Sequence, residues 1–285
     1  MNELVIDISQ HNGYINFEKV KHHGVKACII RVGWIGNKDN HTLDTRFEEY
    51  YRLAKEYNIK VGFYVYSYCK TLENLRKGTM WLLDKLENKK PDLPIFLDLE
   101  DATIAGLGRD ELTEQAENFC RIIENSGYKA GIYASKYWWE NKLYPSKLLN
   151  FKIWLAEWGS KYNHTFKYKV DLWQYTSDGF VDGINGRVDL NKCLCNCLEE
   201  NENNENQTNG DDDEMKLYQN GSTIEPVYQD ILCTKQIGYL HEHEQAECYG
   251  IINGVALIVY NKDKKKDDEP QNKKSGFVKW LGGVK

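Results

Sequence analysis

The chain has 285 residues, enough for one large barrel or two unequal domains, and 41% of them are apolar, enough to bury a core. Its net charge of −6 is uneven: residues 199–214 hold eight acids and no base, so the remainder is close to neutral and lacks the basic stripe expected of a nucleic-acid-binding protein. Residues 1–10, MNELVIDISQ, show no basic start followed by a long apolar run, and nowhere do eighteen apolar residues run together, so neither an export signal nor a membrane span is expected.

In chain order, eight short apolar runs read as strands: 4–8, 25–30, 60–66, 94–99, 129–133, 152–156, 170–174 and about 187–190. Helical stripes lie between the early ones. Residues 44–57 align Phe47, Tyr50, Tyr51 and Ala54; residues 73–89 align Leu75, Leu82, Leu83 and Leu86; residues 110–125 align Leu112, Ala116, Phe119 and Ile123, with Gly127 as a stop. Past residue 156 the spacing is too short for another amphipathic helix. Strands alternating with crossover helices imply a mostly parallel sheet closed into a TIM-like α/β barrel, with functional groups at the carboxyl ends of the strands. An open doubly wound sheet is the rival fold, but no glycine-rich nucleotide turn follows the first strand.

Residues 199–214, EENENNENQTNGDDDE, contain nothing that can build a core and repel themselves, which predicts a solvated linker between domains 1–198 and 215–285. The second segment breaks into short strand-like stretches, MKLY, PVYQ, IGYL, ECYGIING, ALIVY and GFVKWL, and reads as a small all-β antiparallel barrel. The mixed-charge run around 262–274 reads as a hairpin loop.

The eight cysteines are scattered, mostly in apolar runs, and are expected to be thiols. Cys193, Cys195 and Cys197 lack the second knuckle or paired histidine of a zinc site, so no metal and no cofactor is expected.

The segment PIFLDLE, 94–100, is an apolar strand that ends in two acids, Asp98 and Glu100. Residues two apart on a strand share a face at a spacing of about 6.6 Å. Two carboxyls so placed can divide glycoside cleavage, one protonating the leaving oxygen and the other managing positive charge at the sugar carbon. A carboxyl beside a second negative charge in an aromatic-walled cleft holds its proton to higher pH, which makes Glu100 the candidate acid and leaves Asp98 ionised. Other strand ends bring compatible groups to the same rim: Asp7, Arg31 with Trp34, Tyr64 and Tyr66, Tyr133, Trp154 with Glu157, Trp173 with Gln174, and Asp189. His11 is expected in an exposed turn. No G-x-S-x-G elbow, H-E-x-x-H pair or phosphate loop competes with this constellation. A non-catalytic glycan-binding barrel, or a hydrolase of another N-acetylated glycan such as chitin, would use many of the same residues.

With VIDISQHNG at 5–13, RVGW at 31–34, GFYVYSY at 62–68, IFLDLE at 95–100, GIYAS at 131–135, WLAEW at 154–158, WQYTSDG at 173–179 and GRVDLN at 186–191, the chain resembles the glycoside hydrolase family 25 lysozymes. The resemblance implies a barrel of eight strands and about five full helices. It implies hydrolysis of the β-1,4 bond from N-acetylmuramic acid to N-acetylglucosamine in peptidoglycan, with Asp7, Asp98, Glu100 and Asp189 as the acidic cluster. Glu100 is then the proton donor, and Asp98 activates water or steadies the substrate's acetamido group. At VYSY, 65–68, many members carry a histidine that this chain lacks. The tail is similar to the SH3-like wall-binding domains of phage endolysins. That likeness implies a wall ligand for residues 215–285 and a phage of a low-GC Gram-positive host, with the enzyme waiting in the host cytoplasm until the membrane is opened and then acting on the wall. Met215 opens the second segment, and codons for Gly210 and Asp211 can spell a ribosome-binding stretch, so a separately translated fragment starting at Met215 is expected to associate with the full chain.

Overall fold

The computed structural model describes residues 3–159, 163–195, 217–219, 225–228, 236–240, 245–252, 255–261 and 273–279. The chain divides into two compact units, Met1–Glu200 and Asn201–Lys285. The expected linker at 199–214 and most of the mixed-charge run lie outside the described residues.

The first unit contains strands β1 (Glu3–Ile8), β2 (Ala27–Ile35), β3 (Thr42–Leu43), β4 (Lys60–Ser67), β5 (Ile95–Asp98), β6 (Ala130–Ser135), β7 (Lys152–Ala156), β8 (Leu172–Gly179) and β9 (Val188–Cys193). Its helices are α1 (Phe17–His22), α2 (Phe47–Glu56), α3 (Leu72–Lys85), α4 (Arg109–Asn125) and α5 (Lys136–Asn141). The sheet runs β1-β9-β8-β7-β6-β5-β4-β2-β3, and pairing of β1 with β2 closes eight of these strands into a barrel. Each of the eight expected strands is present. The seven from β1 to β8, leaving aside the two-residue β3, run parallel to their barrel neighbours, whereas β9 returns antiparallel to both β8 and β1.

Burial on both faces explains why the parallel strands read as continuous apolar runs. Every residue of β5 is buried. One face of the barrel wall packs outward against the helices through Ile30, Val61, Phe63, Ile95, Leu97 and Ile132. The other face fills the barrel with Val5, Ile29, Tyr64, Phe96, Tyr133, Trp154 and Leu172. Inside, Trp154 acts as a pillar: Tyr64, Phe96 and Tyr133 meet its ring edge-on at centroid distances of 5.9, 5.1 and 4.5 Å.

Helices α2, α3 and α4 occupy the three striped segments, and Gly127 follows α4 with φ +84°, a conformation that favours glycine. Helices α1 and α5 have six residues each, too few for a periodic stripe to stand out. They are fixed by side-chain caps instead: Asn16 accepts from the Lys19 amide at 3.0 Å and Ser135 from the Trp138 amide at 3.3 Å.

The reading of all eight cysteines as thiols fails at Cys193, which is disulfide-bonded. The C-x-C spacing at the end of β9 crowds sulfur atoms together, with Cys193 Sγ 3.9 Å from Cys195 Sγ. Cys28, Cys69 and Cys120 are free and buried.

The second unit contains β10 (Leu217–Gln219), β11 (Glu225–Tyr228), β12 (Gln236–Leu240), β13 (Gln245–Ile252), β14 (Val255–Asn261) and β15 (Lys273–Lys279). They form a six-stranded antiparallel sheet in the order β10-β13-β14-β15-β11-β12, and each of the six stretches expected from the sequence overlaps one of them.

Gly131 tests the interior packing. A Cβ there would sit 2.5 Å from Phe96 Cε1 and 2.6 Å from the Lys152 carbonyl oxygen, and that backbone atom cannot rotate away. Gly131→Ala is expected to cost about 1–3 kcal/mol of stability, read from the urea midpoint.

Candidate active site

The alternation of side chains along the barrel strands brings acids to one mouth. On β1 and β9, Asp7 and Asp189 are directly opposite in an antiparallel pair. On β4, β5 and β6, Tyr66, Asp98 and Tyr133 form one register layer. Glu100 lies two residues beyond Asp98, past the end of β5. A bulge in β2 between Arg31 and Gly33 shifts the alternation by one, so Arg31 pairs with Tyr64 while Trp34 pairs with Tyr66 on the same side.

Asp98 is only 4% exposed and Asp7 6%. Burial pushes the Asp98 carboxyl well above the carboxylate range, Glu100 and Asp7 push it further, and Arg31 draws it back. Burial also raises Asp7 strongly, with Asp189 adding to the effect, against hydrogen bonds from Asn191 and Gln174 that favour the charged form. Glu100 is raised too, first by burial; the Tyr133 hydroxyl opposes the shift and Asp189 reinforces it. Glu100 is nevertheless open to solvent. The concave surroundings strip bulk hydration from its carboxyl while leaving a path for water to touch it. Asp189 is likewise raised by burial, less a hydrogen bond with Asp7.

These environments correct one expectation. Asp98, not Glu100, is the more deeply buried member of the pair and is held strongly toward its neutral form in the free protein, because burial outweighs the attraction of Arg31. Asp98 Oδ1 and Arg31 Nη2 are both buried and have no hydrogen-bond partner. Arg31 spends its Nε on Asp44 Oδ2 at 2.8 Å, and its guanidinium carbon lies 5.8 Å from the Trp34 ring centre.

The aromatic and polar candidates divide into three groups. Tyr64, Tyr66, Tyr133, Gln174, Arg31 and Trp34 stand with the acids, and Tyr66 donates to Asp101 Oδ2 at 3.1 Å. Trp154 is 1% exposed, so it supports the floor of the mouth and offers no face to a sugar. Trp173 and Glu157 do not join the site. Trp173 follows the inward Leu172 and so points to the outer face, where its indole donates to the Glu157 carbonyl at 2.9 Å. The Glu157 carboxylate is held by Thr165 and lies 3.6 Å from Lys136, contacts that outweigh burial and lower its pKa. His11 is exposed in a short 3-10 turn, as expected.

Three residues escaped the sequence reading. Asn191 shares the inward face of β9 with Asp189, a period-two signal present in GRVDLN. Trp158 and Asp101 follow directly on residues already singled out, but their positions depend on loop conformations that no periodicity encodes.

The profile of the glycosyl hydrolases family 25 matches residues 6–184 of this chain. The chain is 25% identical to the autolytic lysozyme of Clostridium acetobutylicum over 188 residues, 66% of this chain and 54% of that protein, and so spans about half the relative's length. Among solved structures, the catalytic domain of endolysin ply40 from bacteriophage P40 of Listeria monocytogenes is similar with a TM-score of 0.58 and 24% identity, over 70% of this chain and 96% of that one. The CTP1L endolysin, whose activity is regulated by a secondary translation product, is similar with a TM-score of 0.58 and 22% identity, over 69% of this chain and 68% of its own. These structures share the fold.

Carboxyls raised on folding stabilise the folded state fully below their unfolded values, about pH 4, and that contribution is lost as pH climbs through the raised values. Asp98→Asn removes the most deeply buried of these charges. Its thermal midpoint is expected to exceed that of the parent chain by several degrees at pH 8 and to converge with it at pH 4, measured by calorimetry at both pH values.

Proposed function

Because the chain belongs to family 25 of the glycosyl hydrolases, we propose that it hydrolyses the β-1,4 bond from N-acetylmuramic acid to N-acetylglucosamine in peptidoglycan. The observation that carries this reading is the gathering of Asp7, Asp98, Glu100 and Asp189 at one aromatic-walled barrel mouth, each with its carboxyl pushed toward the protonated form.

In the proposed reaction Glu100 is the general acid. It combines a pKa raised by burial with access to solvent, so it holds its proton to higher pH than a free carboxyl does and can present it to the bridging oxygen. Asp98 gives up its proton to solvent before the bond breaks, and the positive charge growing at the sugar carbon then favours its ionised form against the effect of burial. Asp98 then activates water or orients the acetamido group. Tyr64, Tyr66 and Tyr133 wall the site, and Arg31 and Trp34 bound it on the β2 side.

The likeness to endolysins supports a finer reading. Here the chain is a phage endolysin, held in the host cytoplasm until the membrane opens and then causing lysis, with residues 215–285 as an SH3-like module for a wall ligand. For the CTP1L endolysin, activity is regulated by a secondary translation product. The corresponding fragment here would start at Met215 and associate with the full chain. Expression of the native gene is then expected to give two bands, the smaller beginning at Met215; a single full-length band removes that part of the reading.

Glu100→Gln separates hydrolysis from mere glycan binding. Loss of a general acid costs about a hundredfold or more in rate, so the variant is expected to bind peptidoglycan but not clear it, and equal clearing would sink the assignment. In the parent chain, kcat/KM should fall on the alkaline side as the raised Glu100 carboxyl loses its proton. Reducing-end analysis of the digest should show muramic acid termini; glucosamine termini would point to a different glycan bond.

A further inference from the structure

Two amide side chains converge on Asp7. Asn191 Nδ2 donates to Asp7 Oδ2 at 2.8 Å, and Gln174 Nε2 donates to the same oxygen at 3.0 Å. Either amide could in principle turn over and present its carbonyl oxygen, which would repel the carboxylate. What sets them is the group on the far side. Trp154 Nε1 donates to Asn191 Oδ1 at 2.8 Å, and Trp158 Nε1 donates to Gln174 Oε1 at 3.1 Å. An indole N–H is a donor and nothing else, so each tryptophan binds only the oxygen of its amide and turns the NH2 toward Asp7.

The two tryptophans are not alike. Trp154 is buried in the barrel interior, whereas Trp158 is 57% exposed, with its N–H edge turned inward to Gln174. Tyr133 also reaches Gln174 Oε1, at 3.1 Å, but a phenol hydroxyl both donates and accepts and its one proton is also within reach of Glu100. Tyr133 by itself therefore leaves the orientation of Gln174 undecided. Trp158 decides it.

We propose that Trp158 is a positioning residue for the hydrolysis: it fixes the Gln174 amide so that Gln174 and Asn191 together occupy one oxygen of Asp7, leaving the other to share a proton with Asp189. This inference rests on the hydrolase reading of the site. Asp7 and Asp189 face each other across β1 and β9, and repulsion between their carboxyls adds to burial in favouring a proton on the pair. With Oδ2 filled by two N–H donors, Asp7 Oδ1 is the oxygen left to meet that proton, and the same donors stabilise the negative charge that remains on the pair. Asp189 in turn faces Glu100 and helps hold its proton. Among the described residues, the other charged or titratable groups acting on Asp7 or acted on by it are Asp98 on β5, Glu100 just beyond it, Tyr64 on β4 and Tyr133 on β6, and none of them replaces the donor that Gln174 supplies.

Trp158→Phe keeps an aromatic ring but loses the N–H with the pyrrole half of the indole, and the exposure of the residue makes the variant compatible with folding, to be verified by an unchanged thermal midpoint. Carboxyl carbon NMR of the free protein across pH reads the Asp7–Asp189 pair without any substrate. Losing the Trp158 donor frees Gln174, removes a hydrogen bond that favours ionised Asp7, and should move that titration upward by about half a pH unit or more. With peptidoglycan, kcat should fall about tenfold, the loss of one hydrogen bond to a charged group, while KM stays within about twofold. A titration curve identical to that of the parent chain overturns the proposal, as does a loss confined to KM, which would make Trp158 a sugar platform and no more. If the parent chain itself releases no reducing ends, the hydrolase reading fails while the titration still reports on the clamp.

Discussion

Four carboxyl groups held together in the mouth of a barrel repel one another and lose hydration, and the rest of the structure is arranged around that cost. Each pKa unit of elevation corresponds to about 1.4 kcal/mol that folding must supply when the group is charged. Burial favours the protonated carboxyls, and the chain limits the cost of charge by bringing in donors that carry none: Asn191, Gln174 and the Tyr133 hydroxyl. Arg31 draws the Asp98 pKa down but also donates to Asp44 Oδ2 at 2.8 Å, so it tempers the cluster without neutralising it.

The aromatic inventory serves this arrangement more than it lines a groove. Trp154 fills the barrel beneath the acids, holds Tyr64, Phe96 and Tyr133 by edge contacts, and uses its N–H to orient Asn191. A large ring with one polar edge suits that position because it excludes water on one side and directs a hydrogen bond on the other. Trp173 performs the same kind of work on the outer face, joining β8 to the Glu157 carbonyl. Tyr66 and Trp34 stay half-buried at the rim, while Trp158 turns its N–H edge inward to Gln174.

The asymmetry of the barrel follows from the same logic. The early strands are separated by helices, while β8 and β9 follow one another as an antiparallel pair with no helix between them. That pair places Gln174 and Asn191 side by side and sets Asp189 opposite Asp7, a pairing that parallel strands joined by helices would have offset. Shortening the last connection thus assembles the polar clamp.

The sequence alone determined the eight barrel strands, the three long helices and the six strands of the second unit, because burial on one or both faces leaves a periodic or continuous apolar pattern in the residues themselves. It also determined Asp98 and Glu100 as a pair, since two acids ending an apolar strand violate the pattern around them. The tertiary structure decided everything that depends on facing and depth. It turned Trp173 and Glu157 away from the mouth, sank Trp154 beneath it, made Asp98 more deeply buried than Glu100, and brought Trp158 to Gln174 from a loop whose conformation has no period. A one-residue difference in parity or a bulge such as that after Arg31 reverses which side of a wall a residue faces, and only the closed barrel settles which side that is.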